Sequence, residues 1–263
     1  LLASLAMITN QGKRSLLTEM KTAPGRKIFQ QLVSWADVVM HNSTDDTAKR
    51  FGADYTQLQD INANVVSCQV SAFGGTWRGF WENRSGYDPI AQSTSGLMAQ
   101  FGTPDAPFDH GTIACGDVSG GLNLAFTALL GVYQQRKSGY GGEGRTSLVR
   151  MANYYQLPYM IADEKGRSDW GEARGQFTFG EHWWQRLYAC RDYWIYVDSR
   201  EDRANVLMET VIGQPETDEQ SLERAFAQQD CVHWLSRLQE NGIACHQVLN
   251  FDDIYTRYTR QVD

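Results

Sequence analysis

The stretch from Asp37 to Thr44, Asp-Val-Val-Met-His-Asn-Ser-Thr, gives the strongest indication of the fold. Its β-branched first half is typical of a short buried strand, and its polar second half is typical of a loop. A helix is expected before it, because apolar residues recur at helical spacing up to Val33. Thr22 is a favoured N-cap for that helix, and Pro24 is tolerated in its first turn.

The same alternation continues after this strand. A second helix is expected through Arg50 and a third from Tyr55 to Ile61, and a second strand is expected from Val65 to Val70. Helices that alternate with strands through short connections indicate a parallel sheet covered by helices. In such sheets ligands bind beyond the carboxyl ends of the strands, and Asn42 and Ser43 are expected at such an end.

The segment from Gly111 to Gly121, Gly-Thr-Ile-Ala-Cys-Gly-Asp-Val-Ser-Gly-Gly, is the candidate for the chemistry. Ile113 to Cys115 is expected to end a strand, and a helix is expected from Leu122 to Gln135. Asp117 lies between them, where free N–H groups and the positive end of the helix keep a carboxylate ionised. A carboxylate nucleophile requires this state. The alternative is that Asp117 is only the N-cap of the helix.

The remaining segments before residue 162 are expected to be a loop, a turn and two helices. Phe73 to Tyr87 is rich in Gly, Trp, Arg and Asn, which predicts a long surface loop. Gly139 to Gly144 is expected to be a flexible turn. Pro89 to Phe101 and Leu148 to Ile161 are expected to be helices.

The composition changes after Ala162, which predicts a second, smaller domain. A polar segment that contains Gly is followed by a hairpin from Leu187 to Val197, turning at Arg191 and Asp192. Two helices, a strand from Ile243 to Val248 and a helix from Asp252 are expected next. The predicted domains are a large α/β domain (1–162), a linker with a small α+β domain (163–240) and the start of a return to the large domain (241–263).

The composition excludes several classes of function. The chain has 263 residues, 42% of them hydrophobic and 21% charged, with a net charge of −7. Such values are typical of a globular domain, and the negative charge argues against a nucleic-acid partner. No apolar run is long enough to span a membrane. The five cysteines show no Cys-x-x-Cys spacing, which predicts reduced thiols, no metal site and a cytoplasmic location.

Five segments, taken in order, resemble motifs of the class III CoA-transferases, the family of carnitine and formyl-CoA transferases. Two of them flank the first predicted helix, and the other three are spread over the rest of the chain. The segments are Asn10-Gln11-Gly12-Lys13-Arg14-Ser15 with Glu19-Met20-Lys21-Thr22, Ala36-Asp37-Val38-Val39-Met40-His41-Asn42, Ser85-Gly86-Tyr87-Asp88-Pro89-Ile90-Ala91-Gln92, Asp117-Val118-Ser119-Gly120-Gly121, and Gly242-Ile243-Ala244-Cys245-His246-Gln247-Val248. The likeness covers nearly the whole chain.

This resemblance implies a Rossmann-like parallel sheet, an interlocked homodimer and transfer of CoA from an acyl-CoA to a small carboxylic acid. Coenzyme A is then substrate and product, and no metal or redox cofactor is required. Asp117 matches the aspartate that attacks the thioester. The positions that match the CoA-binding segments are Thr18, Glu19, Met20, Lys21, Asn42, Ser43, Thr44, Arg50, Arg84, Ser85, Gly86 and Tyr87. Lys21 and Arg50 are the cations expected at the phosphates.

The chain departs from the family pattern in two respects. The Phe-Arg-Pro-Gly that follows the Asn in the family is Ser43-Thr44-Asp45-Asp46 in this chain, and two acidic residues are expected to repel a phosphate. The chain also starts after the first strand of the family and stops before its C-terminal segment. It is therefore expected to be incomplete at both ends, or to be part of a longer protein with tandem domains of this family.

Two other functions remain open. A 2-methylacyl-CoA racemase of the same superfamily would use a His where this chain has Tyr87, and an unperturbed Tyr is a poor base at neutral pH. His110 is the residue that would support acid–base chemistry, although a surface-loop His is the simpler interpretation. The chain could also be a non-catalytic CoA-binding half of a fused protein, an alternative that the altered loop after Asn42 favours.

Overall fold

The structure is a computed structural model, and it describes residues 2–74, 80–81, 83–111, 115–160, 162–163, 166–167, 178–213 and 219–258. The chain divides into two compact units, Leu1–Ser168 and Asp169–Asp263. The first unit contains a parallel sheet with helices and the second an antiparallel sheet with helices. The expected combination of a parallel α/β unit and a smaller α+β unit is therefore confirmed, whereas the domain boundaries at 162 and 240 stay a prediction.

The sheet of the first unit has three parallel strands. They are β1 (Val38–His41), β2 (Val66–Ser71) and β3 (Gly142–Ser147), in the spatial order β1-β2-β3. His41 pairs with Gln69, and Gln69 pairs with Arg145, so these three residues form one row across the sheet. Because the strands are parallel, their carboxyl ends lie at the same edge.

The helices of the first unit precede, connect and follow these strands. They are α1 (Leu2–Thr9), α2 (Ala23–Val33), α3 (Asp45–Phe51), α4 (Tyr55–Ile61), α5 (Asp88–Ser95), α6 (Leu97–Phe101), α7 (Cys115–Ser138), α8 (Leu148–Tyr155) and α9 (Leu157–Met160). A short antiparallel pair, β4 (Ala162–Asp163) and β5 (Gly166–Arg167), follows them. None of the helices within the described ranges is long and apolar enough to cross a bilayer.

Local capping explains where two of the helices start. The Thr22 side chain accepts a hydrogen bond from the Gly25 N–H (3.2 Å) before α2, as expected, with Pro24 in the first turn. Asp54 accepts from the Gln57 N–H (3.0 Å) before α4. These two helices pack through a small apolar cluster around Val33, Leu58 and Val65.

The long helix α7 packs directly on the sheet. Val66 and Cys68 of β2 are buried against Ala128 of α7. The approach is close at Gly131, where an added Cβ would lie 2.3 Å from Val66 Cγ1. Only glycine permits this spacing between helix and sheet.

The structure corrects several expected boundaries in the first unit. Helix α7 begins at Cys115 instead of Leu122, so Cys115 is not in a strand, and Ile113 and Ala114 lie outside the described residues. Strand β3 occupies much of the expected turn at 139–144 because it pairs with β2. Gly96, with a φ of 83°, separates α5 from α6, where one helix was expected.

The second unit contains four antiparallel strands. They are β6 (Gly180–His182), β7 (Gln185–Ala189), β8 (Trp194–Asp198) and β9 (Ala244–Gln247), paired in that order. The expected hairpin is confirmed as β7 and β8. Strand β9 lies in the segment that was expected to start the return to the large domain. It pairs with β8, residue for residue from Ile195↔Gln247 to Asp198↔Ala244. The return of the segment 241–263 to the large domain stays a prediction.

The described residues of the second unit also form four helices, and the first three of them pack against this sheet. A 3-10 turn (Glu201–Arg203) leads into α10 (Ala204–Ile212), which is followed by α11 (Glu219–Phe226), α12 (Cys231–Glu240) and α13 (Phe251–Tyr258). The segment expected as one helix from Ser221 to Gln239 is thus two helices. The core packs Tyr188 and Ile195 of the sheet with Leu207, Phe226 and Trp234 of the helices.

Candidate functional site

A cavity of about 660 Å³ lies at the carboxyl-end edge of the parallel sheet. It is built from the loop after β1, the segment before α5 and the first turns of α7 and α8. The residues predicted from the sequence that line it are Asn42, Ser43, Thr44, Arg84, Ser85, Gly86, Tyr87 and Asp117. The structure therefore brings together three segments that are far apart in the chain.

The loop after β1 is held in place from the sheet. The Ser43 N–H donates to His41 Nδ1 (3.3 Å), and Gln69 Nε2 donates to the Ser43 carbonyl oxygen (2.8 Å). Burial and the positive charge of Arg145 lower the pKa of His41. A neutral imidazole can accept the Ser43 hydrogen bond, so the electrostatics agree with the geometry.

Asp45, which follows this loop, forms an ion pair with Arg145 of strand β3. Arg145 NH1 donates to both carboxylate oxygens of Asp45, at 3.0 and 3.1 Å, and Gln69 Nε2 donates to Oδ1 at 2.9 Å. Arg145 is also paired with Glu143. The sequence suggested that Asp45 and Asp46 would repel a phosphate. The structure shows that one of them, Asp45, is paired with a cation, Arg145.

Arg84 and Tyr87, from the segment before α5, also line the cavity. Arg84 Nε donates to the Phe80 carbonyl oxygen (3.0 Å), and its guanidinium lies 4.2 Å from the centroid of the Phe80 ring. These contacts fix an exposed cation in place. The Tyr87 side chain is 80% exposed and lines the cavity.

The other predicted CoA-binding residues do not line this cavity. Thr18, Glu19, Met20 and Lys21 precede α2, where Glu19 Oε1 accepts from the Lys21 N–H (2.9 Å). Arg50 lies in the last turn of α3 with its guanidinium 5.1 Å from the centroid of the Phe51 ring. Their part in holding a nucleotide stays a prediction.

Asp117 is the third residue of α7, so it is not the N-cap of that helix. Its side chain is exposed and lines the cavity. Partial burial and the negative charge of Asp88 raise the pKa of its carboxyl above the ordinary value. Asp117 is therefore an accessible carboxylate that is more basic than a surface Asp.

Sequence reasoning did not identify Asp88 as a site residue. Asp88 is 3% exposed at the start of α5, and its Oδ2 accepts a hydrogen bond from the Asp117 N–H (3.0 Å). The sequence did contain an indication of its role, because Asp88 directly follows Tyr87 in the segment Ser85 to Gln92 that resembles a family motif. Other cavity residues missed from the sequence are Thr47, Val70, Ser71, Ala72, Gly121 and Leu148.

His110 does not line the cavity that contains Asp117. It packs between Phe101 and Phe108, at centroid distances of 5.8 and 5.0 Å, and lines a separate apolar pocket. Its Nε2 is buried with no hydrogen-bond partner among the described residues. This placement does not favour His110 as an acid–base partner of Asp117.

The chain and its fold match a known family. The profile of CoA-transferase family III matches residues 2–262, and the chain belongs to that family. A crystal structure of a CaiB/BaiF family protein from Brucella suis superposes with a TM-score of 0.78 at 22% identity, covering 96% of this chain and 70% of that one. The resemblance inferred from the sequence motifs is confirmed.

Two curated relatives are similar in sequence. The CoA-transferase/lyase DddD of Marinomonas sp. (strain MWYL1) is 31% identical over 260 residues, which is 97% of this chain and 31% of that protein. The succinate–glutarate CoA-transferase of Agrobacterium fabrum is 33% identical over 133 residues, which is 51% of this chain and 33% of that protein. The aligned regions span about a third of the length of each relative.

Proposed function

We propose that this chain carries the nucleophile of a CoA-transferase that moves CoA from an acyl-CoA thioester to a small carboxylic acid. One observation carries the proposal. The Asp117 carboxylate opens into the cavity that the loop after β1 and the segment 84–87 also line. Family membership and the names of the relatives, which are CoA-transferases, support the same reaction.

The proposed reaction begins when a carboxylate oxygen of Asp117 attacks the thioester carbonyl carbon. The carbon–sulfur bond breaks, CoA leaves as the thiolate, and an aspartyl-acyl anhydride forms. The thiolate then attacks the Asp117 carbonyl carbon of the anhydride, which releases the donor acid as its carboxylate and leaves an aspartyl-CoA thioester. Splitting the exchange in this way replaces one difficult step by easier ones.

The acceptor acid reverses these steps. Its carboxylate attacks the aspartyl-CoA carbonyl carbon, and the thiolate leaves again. The thiolate then attacks the acyl carbon that came from the acceptor, which forms the new acyl-CoA and regenerates the Asp117 carboxylate. No proton, electron or metal ion enters the balance of these steps.

The surrounding residues would bind and orient the substrate. Arg84 offers a fixed guanidinium to a phosphate, and Lys21 and Arg50 remain candidates for the nucleotide. The cavity of about 660 Å³ lies within the usual range for small-molecule sites, about 300–1,000 Å³. Because Arg145 pairs with Asp45, one of the two acidic residues that depart from the family motif is held in an ion pair.

The protein is also proposed to act as a homodimer. A row of large apolar side chains on α7 is exposed in the single chain, among them Leu122 (69%), Phe126 (59%) and Leu129 (68%). Exposed apolar stripes of this kind are typical of interfaces. Light scattering at micromolar concentration should return a dimer, and a monomer would contradict this part of the proposal.

Mass spectrometry of the protein incubated with an acyl-CoA tests the nucleophile. The expected result is a covalent adduct on the peptide that contains Asp117, absent from the Asp117→Asn variant. An Asp105→Asn variant, which removes an exposed carboxylate from a turn, is the matched control and should form the adduct normally. An adduct that persists in Asp117→Asn would refute the assignment.

A further inference from the structure

Asp88 is buried, with 3% of its surface exposed, and each of its two carboxylate oxygens accepts a hydrogen bond. Gln92 Nε2 donates to its Oδ1 (2.8 Å), and the Asp117 backbone N–H donates to its Oδ2 (3.0 Å). Asp88 belongs to α5 and Asp117 to α7, so the second bond joins two helices through residues that are 29 positions apart in the sequence. The mechanism proposed above gives Asp88 no role.

Helix physics explains why this bond matters. The first four N–H groups of an α-helix have no partner within the helix, and the N-terminal end carries a partial positive charge. The Asp117 N–H is one of these groups, and Asp88 satisfies it from outside the helix. A buried carboxylate without such partners would be strongly unfavourable, so the two helices stabilise each other at this point.

We infer that Asp88 is a positioning residue for the proposed transfer. By accepting the Asp117 N–H it fixes the first turn of α7, and it thereby sets the direction from which the Asp117 carboxylate faces the cavity. This inference rests on the proposed function, because it assigns Asp88 a role in presenting the nucleophile.

Two neighbours hold the Asp88 carboxylate in one place. Gln92 is completely buried, and its Oε1 accepts a hydrogen bond from the backbone N–H of His110 (3.1 Å), which fixes the orientation of its amide toward Asp88. Gly116 leaves room on the other side, since an added Cβ would lie 3.1 Å from Asp88 Oδ1. These contacts on both sides hold the Asp88 carboxylate in the orientation in which its Oδ2 accepts the Asp117 backbone N–H.

The negative charge of Asp88 also acts on the Asp117 carboxyl group. Burial and this charge together raise the pKa of the Asp117 carboxyl, and a more basic carboxylate is a better nucleophile as long as it stays ionised. Other titratable groups come from the elements around α7 and from the cavity wall: Cys68 on β2, Glu143 and Arg145 on β3, Arg150, Tyr154 and Tyr155 on α8, Arg84 and Tyr87. Among these described residues, none but Asp88 shifts the pKa of Asp117.

The test compares Asp88→Asn with the Asp105→Asn control. The pKa of Asp117 is followed by ¹³C NMR of the aspartate carboxyl carbons, with Asp117→Asn identifying the resonance. The Asp88→Asn substitution should lower this pKa and reduce kcat for CoA transfer about 10- to 100-fold with little change in KM. The control should change neither. A role for Asp88 in stability alone would leave kcat of the folded variant unchanged.

A second variant covers the case in which Asp88→Asn does not fold. Gly116→Ala keeps the Asp88 carboxylate but pushes against it, and kcat should again fall while KM stays the same. A folded Asp88→Asn protein with unchanged kcat overturns the inference, whether or not the pKa of Asp117 moves. Transfer that persists in Asp117→Asn overturns the proposed function instead, and the NMR titration still reports on the contact between Asp88 and Asp117.

Discussion

Two carboxylates occupy similar backbone positions in the first unit and have opposite surroundings. Asp45 is the first residue of α3, and Asp117 is the third residue of α7. Asp45 is bound by Arg145 and Gln69 from the row across the sheet. Asp117 instead has a second carboxylate, Asp88, at its backbone N–H. The helix end alone therefore does not decide what a carboxylate at that position does.

The difference lies in what the neighbouring elements contribute. Strand β3 carries Arg145, which holds the nearby Asp45 carboxylate in an ion pair. A helix that begins with a buried Asp88 leaves the nearby carboxylate unneutralised and raises its pKa. The first arrangement stabilises a loop, and the second keeps a basic oxygen available at the cavity.

The largest expected effect is the loss of CoA transfer when the Asp117 carboxylate is removed. Asp117→Asn should fold normally but lose CoA transfer by about a thousandfold or more, because the amide is not a nucleophile and removal of a covalent nucleophile has effects of this size. Transfer assays with circular dichroism as the folding check measure it. Near-wild-type transfer in a folded variant would show that Asp117 is not the nucleophile and does not differ from Asp45 in this respect.

The ion pair should show its effect in stability. The Arg145 and Asp45 side chains are 26% and 28% exposed, so the pair lies between a surface pair and a buried one. Arg145→Gln and Asp45→Asn should each lower the free energy of unfolding by about 1–2 kcal/mol. Urea denaturation of both variants and the double variant should show less than additive losses. Strict additivity would mean that the two side chains do not stabilise each other.

The smallest expected effect concerns stability and pH at Asp117. Its pKa is raised in the folded protein, so the folded state binds a proton more tightly than the unfolded state, and stability falls as pH rises through this range. Asp117→Asn removes this penalty. Because the Asp117 side chain is exposed, solvent screens most of this effect, and the variant should be only slightly more stable than the wild type at neutral pH, by about 0.5 kcal/mol or less.

Thermal unfolding of the two proteins across the pH range measures this difference. It should disappear at pH values below the pKa of an unfolded Asp, where the carboxyl is protonated in both states. A variant that is less stable than the wild type at neutral pH would show that the carboxylate of Asp117 is stabilising. Asp117 would then resemble Asp45.

The alternation of helices and strands could be predicted from local patterns. The β-branched run of β1 and the capping residue Thr22 act over a few residues, so the sequence alone shows them. Strand β3 was not predicted because Gly-Glu-Gly-Arg has little tendency to form a strand, and its pairing with β2 comes from tertiary structure. The early start of α7 was missed for a related reason, since its first residues include several glycines.

The candidate site was predicted in part. The motif resemblance identified Asn42, Tyr87 and Asp117, which line one cavity. It did not reveal that Arg145 neutralises Asp45, because the two residues are 100 positions apart and no local pattern joins them. The contact between Asp88 and Asp117 depends in the same way on how two helices approach each other.

The close contact at Gly131 has a consequence for how substitutions along α7 are tolerated. Gly131 follows Asp117 by 14 residues on the same helix, about 21 Å at a rise of 1.5 Å per residue. A side chain at residue 131 would collide with Val66 and lift α7 away from the sheet that holds the cavity wall. In a library screened for activity, the intolerant positions would therefore include a remote point where helix and sheet touch, as well as the residues around the substrate.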